Sequence, residues 1–185
     1  MDARALTLLA VLTFAAPAQA LEVAGVKLPD TTTVEGRVLK LNGAGIRKKF
    51  IIKVYVGGLY LEAPAHALDP IVAGNQAWSV HMYFLRNVEK DKIVSAFREG
   101  FENNSGSRLG RLSPGLDKIA AGLRDLRTGD ELVVSYAPGR GTTVGITGAT
   151  AVGVESKEFA DALLANWLGS SPADAGLKAA MLGGK

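Results

Sequence analysis

Phe50-Ile51-Ile52-Lys53-Val54-Tyr55-Val56-Gly57-Gly58-Leu59-Tyr60-Leu61 is the most apolar stretch after the leader of this 185-residue chain. Branched and aromatic residues dominate it, which favours a pleated, buried strand. Working outward, Val34 to Leu41 reads as a strand. Trp78 to Leu85 alternates, with Trp78, Val80, Met82 and Phe84 on one face and Ser79, His81, Tyr83 and Leu85 on the other. A helix is expected from a cap at Asn87 to about Asn103, with the stripe Ile93, Phe97 and Phe101. A second is expected to start at Ser113-Pro114, carry Leu116, Ile119, Ala120, Leu123 and Leu126 on one face, and stop at Gly129. Short strands follow over Leu132 to Ala137, Thr142 to Thr147 and Thr150 to Val154. The turns between them are Pro138-Gly139-Arg140-Gly141 and Gly148-Ala149. Ser156 caps a helix over Lys157 to Leu168, and Pro172 to Leu182 is a short tail helix. Helices grouped between blocks of strands imply an α+β fold with an antiparallel sheet rather than wound βαβ units.

The N-terminus carries an export signal. Arg4 is the charged n-region, Ala5 to Ala16 is apolar apart from Thr7 and Thr13, and Ala18-Gln19-Ala20 is an A-x-A cleavage site. The apolar run is short for a membrane span, and no second long one follows. The expected product is therefore a soluble periplasmic or secreted chain of one domain, from Leu21 to Lys185. It contains no cysteine, which excludes disulfides, thiol catalysis and thiolate metal sites. The net charge of +3 is modest and of mixed sign. With no aromatic-basic platform, nucleic acid is not an expected partner.

Familiar catalytic spacings are missing. Gly43-Ala44-Gly45 resembles the start of a dinucleotide loop, but Lys48 stands where the third glycine belongs. No Walker loop, nucleophile elbow or His-Glu-x-x-His occurs. The two histidines, His66 and His81, have no carboxylate at ligand spacing, so no metal or other cofactor is expected.

Three polar residues stand out. Arg47 ends the glycine-rich segment from Gly43, read as a turn, at the mouth of the apolar strand. It either belongs to a solvated run with Lys48 and Lys49 or grips an anion with its two-pronged guanidinium. Tyr55 shares a strand face with Ile51, Gly57 and Leu59, and its hydroxyl needs a partner if buried. Asn166 falls on the apolar stripe Phe159, Ala162, Leu163 and Trp167. A buried amide there either caps a neighbouring backbone group or points into a cleft.

The run Leu41-Asn42-Gly43-Ala44-Gly45-Ile46-Arg47-Lys48-Lys49-Phe50, continued by Lys53-Val54-Tyr55-Val56-Gly57-Gly58-Leu59-Tyr60-Leu61-Glu62, resembles the core of the chalcone isomerase-like family. The segment Phe159 to Leu168, followed by Gly169, Pro172, Leu177 and Lys178, is similar to the family's end. The likeness covers nearly the whole chain after the leader and is greatest to exported bacterial members. It implies an open-faced β-sandwich: a large antiparallel sheet, helices packed on one side, and a ligand cleft between them. Family members cyclise chalcones, bind fatty acids, or act as non-catalytic partners of biosynthetic enzymes. The family arginine corresponds to Arg47, which in enzymes orients the substrate oxyanion and in fatty-acid binders holds the carboxylate. The enzyme threonine corresponds to Tyr55, a tyrosine also in the fatty-acid-binding branch. The enzyme's Ser/Thr near the end of the last helix corresponds to Asn166. Its tyrosine and asparagine on the first helix find no match in the stretch from Lys90-Asp91-Lys92-Ile93 to Glu99. The resemblance thus implies a non-catalytic binder of an amphipathic anion such as a fatty acid, with Arg47, Tyr55 and Asn166 as ligand-binding residues and no catalytic set. The alternatives are a chalcone isomerase-type intramolecular lyase acting on an enone or phenol, and an interaction protein without a small ligand.

Processing at Ala18-Gln19-Ala20 makes Leu21 the first residue of the exported protein. Intact-mass measurement of periplasmic material checks this, and retention of Met1 would contradict it.

Overall fold

The computed structural model describes residues 20–147, 149 and 151–184. The expected leader therefore lies, except for Ala20, outside the described residues. A two-stranded hairpin comes first, β1 (Leu21–Val23) and β2 (Val26–Leu28). It is followed by β3 (Thr31–Val34), β4 (Arg37–Lys49), β5 (Ile52–Leu61), α1 (Leu68–Ala73), β6 (Trp78–Phe84), α2 (Lys90–Ser105) and α3 (Leu109–Gly122). The chain then forms β7 (Glu131–Ala137), β8 (Gly141–Ile146), β9 (Val152–Val154), α4 (Lys157–Leu168) and α5 (Ala175–Met181). Strands β3 to β9 form one seven-stranded sheet in chain order, antiparallel throughout. It is not closed into a barrel, as expected of the open-faced α+β architecture.

Alternation puts Tyr55, Leu59, Leu61, Trp78, Val80, Met82, Phe84, Leu132 and Val134 into one core with Phe97, Phe101, Leu116, Ile119, Phe159 and Leu163 from the helices. The other face of the sheet is covered in part by its own first strands. Leu39, Tyr60 and Ala77 form a second small cluster, with Val34 and Leu41 packed on it. Among the described residues no helix is long and apolar enough to cross a membrane.

Several boundaries differ from the sequence expectation. The strand expected over Val34 to Leu41 is divided by a turn at Glu35-Gly36, where both φ angles are positive (47° and 75°). The segment Gly43 to Arg47 is not a turn but the middle of β4. Its glycines, together with Gly57 across the ladder, let α5 approach closely. A Cβ on Gly43 would stand 2.1 Å from the Ala180 carbonyl oxygen, one on Gly45 2.7 Å from the Ala180 methyl, and one on Gly57 2.8 Å from the Met181 methyl. Phe50 and Ile51, expected within a strand, are the turn joining β4 to β5. Asn42 sits in a bulge between Leu41 and Gly43. Its side-chain amide donates to the Ala65 and Met181 carbonyls (2.9 and 2.7 Å) and its oxygen accepts from the Ala65 N–H.

Helix caps differ too. Asn87 does not cap α2; its oxygen accepts from Thr128 N–H. The Lys90 N–H at the start of α2 donates instead to Asp125, at 2.8 Å. Ser113 and Pro114 lie inside α3, because the chain breaks earlier, at Gly106 with φ 54°. The Ser113 hydroxyl donates back to the Leu109 carbonyl, a bond available to serine within a helix. The helix ends at Gly122; Leu126 pairs with Val88 as an isolated bridge, and Gly129, with φ 90°, serves the turn before β7. Ser156 caps α4 as expected, accepting from Phe159 N–H. Asp174 caps α5. Gly148 and Thr150 lie outside the described residues, and β9 runs from Val152.

The glycine seam yields a stability prediction. Gly43→Ala should destabilise the fold by about 1–3 kcal/mol, the usual cost of overpacking. Gly110→Ala, with nothing within 4 Å of the added methyl, should be neutral or slightly stabilising through helix propensity. Denaturant unfolding of both variants checks the contrast.

Candidate functional site

A cleft opens between the sheet and α2, bounded by α4 and by the chain leading into α5. Its apolar walls include Met82, Phe84 and Leu132 from the sheet and Ile93 and Phe97 from α2. Arg47, Tyr55 and Asn166 all line it. Residues more than 100 positions apart in the chain thus meet at one place, as the family resemblance implies.

Arg47 and Tyr55 are partners in the β4–β5 ladder, just before a register irregularity at Lys48. Partners in an antiparallel ladder share a face. The Arg47 guanidinium carbon stands 5.8 Å from the centre of the Tyr55 ring, a cation–π distance. Arg47 is half-buried, and its Nε is buried with no hydrogen-bond partner. Among the described residues it makes no ion pair with any carboxylate. The nearby acid Asp174 is occupied: its oxygens accept the backbone N–H groups of Lys48 and Leu177, both at 2.9 Å.

Tyr55 is buried, with 4% of its surface exposed. Its ring packs tilted against Phe84, centroids 5.5 Å apart. The Trp167 indole N–H donates to its hydroxyl at 2.9 Å. That bond uses the oxygen and leaves the phenolic proton available as a donor. Burial raises the Tyr55 pKa above the ordinary phenol value, against the opposing effects of Arg47 and the Trp167 bond. At neutral pH the group is therefore a neutral phenol and not a base.

Asn166 is 3% exposed. Its amide N–H donates to the Phe97 carbonyl in α2 at 3.2 Å, so it binds a neighbouring backbone group. Its side-chain oxygen remains buried and without a partner. Asn166 thus binds a neighbouring backbone group while it lines the cleft. Gly100 makes the contact fit, since a Cβ there would lie 2.4 Å from the Asn166 amide carbon.

Two further residues bear on the site. Trp167, read in the sequence as part of the apolar stripe, is the polar partner of Tyr55. It also meets Phe97 edge-on, with centroids 6.0 Å apart. The signal for it was chemical: a buried phenol and a buried indole each need a partner. Lys92, from α2, is a second cation at the cleft, and only the fold reveals that α2 brings it there. Lys92 is ion-paired with Glu89 at 3.0 Å, so Arg47 is the cation of the lining without a carboxylate partner among the described residues.

The histidines are occupied elsewhere. The His66 Nδ1 donates to the Leu182 carbonyl at 2.9 Å, and the His81 Nδ1 donates to Glu131 at 2.6 Å on the opposite sheet face. Among the described residues no three His, Asp or Glu side chains gather as a metal site.

In this conformation the cleft holds about 50 Å³, room for a few waters. Pockets that enclose drug-sized ligands run to about 300–1,000 Å³. Admitting a molecule of that size would require α2 to part from the sheet, at the Phe97 and Ile93 contacts.

Comparison with known proteins agrees with this architecture. No curated protein matches the chain. A solved structure, that of a fatty-acid binding protein from Arabidopsis thaliana, shares the fold with a TM-score of 0.68 and 17% identity, covering 85% of this chain and 92% of its own. The family described as chalcone isomerase-like matches residues 20–183. The chain belongs to the chalcone isomerase-like family.

Proposed function

We propose that this protein is a non-catalytic periplasmic or secreted binder of an amphipathic anion, of which a fatty acid is the leading example. The observation that carries the reading is Arg47: a guanidinium with a buried, partnerless Nε on the wall of an apolar cleft whose lining has no carboxylate. A buried charge is costly until paired. An incoming carboxylate would supply the missing acceptor, with the free phenolic proton of Tyr55 beside it as a second donor. The tail would lie among Met82, Phe84, Ile93, Phe97 and Leu132. The fold shared with a plant fatty-acid binding protein supports the reading in kind, and the arginine and tyrosine that the family resemblance places at positions 47 and 55 support it in detail. Export rests on the leader alone.

The isomerase reading keeps one argument. Intramolecular attack by a phenolate needs orientation and a positive charge more than a proton relay, and Arg47 meets that need. Against it, the cleft offers no His, Asp or Glu as a base, and Tyr55 is held neutral.

Titration of a fatty-acid series, followed by calorimetry and by fluorescence of Trp167 beside the cleft, tests the binder. Arg47→Ala should weaken binding by about 1.5–3 kcal/mol, the usual worth of hydrogen bonds to charged groups. Its melting temperature should change little, because the deleted guanidinium has no carboxylate partner and only the Tyr55 ring at cation–π distance. Unchanged affinity, or loss of the fold with normal binding by the folded fraction, would make Arg47 structural.

Absorbance loss of a hydroxychalcone over the spontaneous rate tests the enzyme. Slow cyclisation at most is expected. Rapid turnover abolished by Arg47→Ala, without fatty-acid binding, would make the protein an isomerase. Silence in both assays would favour an interaction protein.

A further inference from the structure

The β4–β5 hairpin ends in a turn that folding alone would not choose. Three two-residue hairpin turns occur among the described residues: Ala24-Gly25, Glu35-Gly36 and Phe50-Ile51. The first two carry glycine at a positive φ. The third carries no glycine and no polar residue. Phe50 takes φ 57° at the first turn position, where the smaller or polar Ala24 (49°) and Glu35 (47°) stand in the other two hairpins, and unlike them it is not followed by a glycine. For a bulky side chain that backbone is a genuine outlier, and such strain clusters at functional positions.

The two turn side chains are almost wholly in solvent, Phe50 91% exposed and Ile51 94%, and the flanking Ile52 is 45% exposed. Lysines surround them. Lys48, Lys49 and Lys53 are all exposed, and none pairs with an acid among the described residues. Lys48 and Lys53 stand directly opposite each other in the ladder, where like charges repel. No Asp or Glu occurs from Arg47 to Leu61. The tip is thus a strained apolar finger inside a collar of unneutralised positive charge.

We propose that this tip docks the protein on an anionic phospholipid bilayer. Phe50, Ile51 and Ile52 enter the boundary between headgroups and acyl chains, and Lys48, Lys49 and Lys53 sit on the lipid phosphates. Apolar side chains with flanking lysines are the composition that binds such an interface. The same surface removes the Lys48–Lys53 repulsion. A second copy of the chain is a poor occupant, since tip-to-tip contact would set lysine against lysine. The position of the finger gives docking a consequence. Arg47 and Tyr55 form the next ladder pair inward from Lys48 and Lys53. At roughly 3.3 Å per residue, Arg47 lies about 10 Å along the strand from Phe50. A seated finger therefore holds the cleft against the lipid.

The proposal is independent of the cleft's ligand, and its test leaves Arg47 untouched. The purified protein is sedimented with phosphatidylcholine vesicles, with and without phosphatidylglycerol. Binding is expected only with the anionic lipid and should weaken as salt rises. It should fall roughly tenfold or more in Phe50→Gly/Ile51→Ser and in Lys48→Gln/Lys49→Gln/Lys53→Gln. Phe50→Gly relieves the strained φ, so its melting temperature should hold or rise, separating lost docking from lost folding. Phe50→Trp should give an emission that shifts to the blue on mixing with anionic vesicles. Equal sedimentation of all variants, or an unshifted emission from the Phe50→Trp protein, would overturn the proposal. A dimer in ultracentrifugation that the Phe50→Gly/Ile51→Ser variant abolishes would also overturn it and assign the tip to a second copy.

Discussion

Close backbone contact between α5 and the β4–β5 pair governs much of this structure. A helix normally stands off a sheet by the length of its side chains. Here Gly43, Gly45 and Gly57 remove those side chains from the sheet, and Ala180 fits into the space. The contact is then fixed at both ends by hydrogen bonds. Asn42 holds the Met181 carbonyl at the C-terminal end of α5. Asp174 caps the N-terminal end and accepts Lys48 N–H from β4. Asp174 thus ties β4 to α5 through backbone groups, and no ion pair joins it to Arg47 among the described residues.

The cleft is a place where the core has polar business left over. Trp167 and Tyr55 satisfy each other across α4 and β5, and Asn166 ties α4 to α2 through the Phe97 carbonyl. Yet the Arg47 Nε and the Asn166 oxygen both stay buried without partners. Leaving such a group unpaired costs about 1–3 kcal/mol, so a fold selected for stability alone would replace them with apolar side chains. His81 Nε2, Ser105 Oγ and Thr142 Oγ1 are also buried without partners, but only Arg47 and Asn166 meet at the apolar cleft, which is what the proposed binding role rests on.

Legibility in the sequence followed the physics of each element. Alternation in Trp78 to Leu85 and the apolar run to Leu61 identify β6 and β5, because sheet burial imposes a period of two. Ser156 was readable as a cap because its partner, Phe159 N–H, is local. Asn87 and Ser113 were misleading for the converse reason. The cap of α2 comes from Asp125, far along the chain, and Ser113 bonds back within its own helix. The glycines of β4 looked like a turn because a glycine that admits a neighbouring helix and one that permits a bend read alike. Arg47, Tyr55 and Asn166 were found as anomalies plus a family likeness, whereas Lys92 and the Tyr55–Trp167 bond depend on tertiary placement that no local pattern encodes.

The β4–β5 hairpin carries positive charge in two different dielectric settings, and the difference matters. Arg47 is half-buried against an aromatic ring, where bulk salt screens it little, so it suits a single anion held at short range. Lys48, Lys49 and Lys53 stand in water, where an isolated ion pair is worth little but a surface of many phosphates acts on all three at once. On the proposed readings, one strand pair would serve a single anion at Arg47 and, a few residues outward, a field of them at the lysine collar. Glycine at position 50 would give the easier turn. Phenylalanine there places a large apolar ring at the outermost point of the collar, the position where it contributes least to the core and most to an interface.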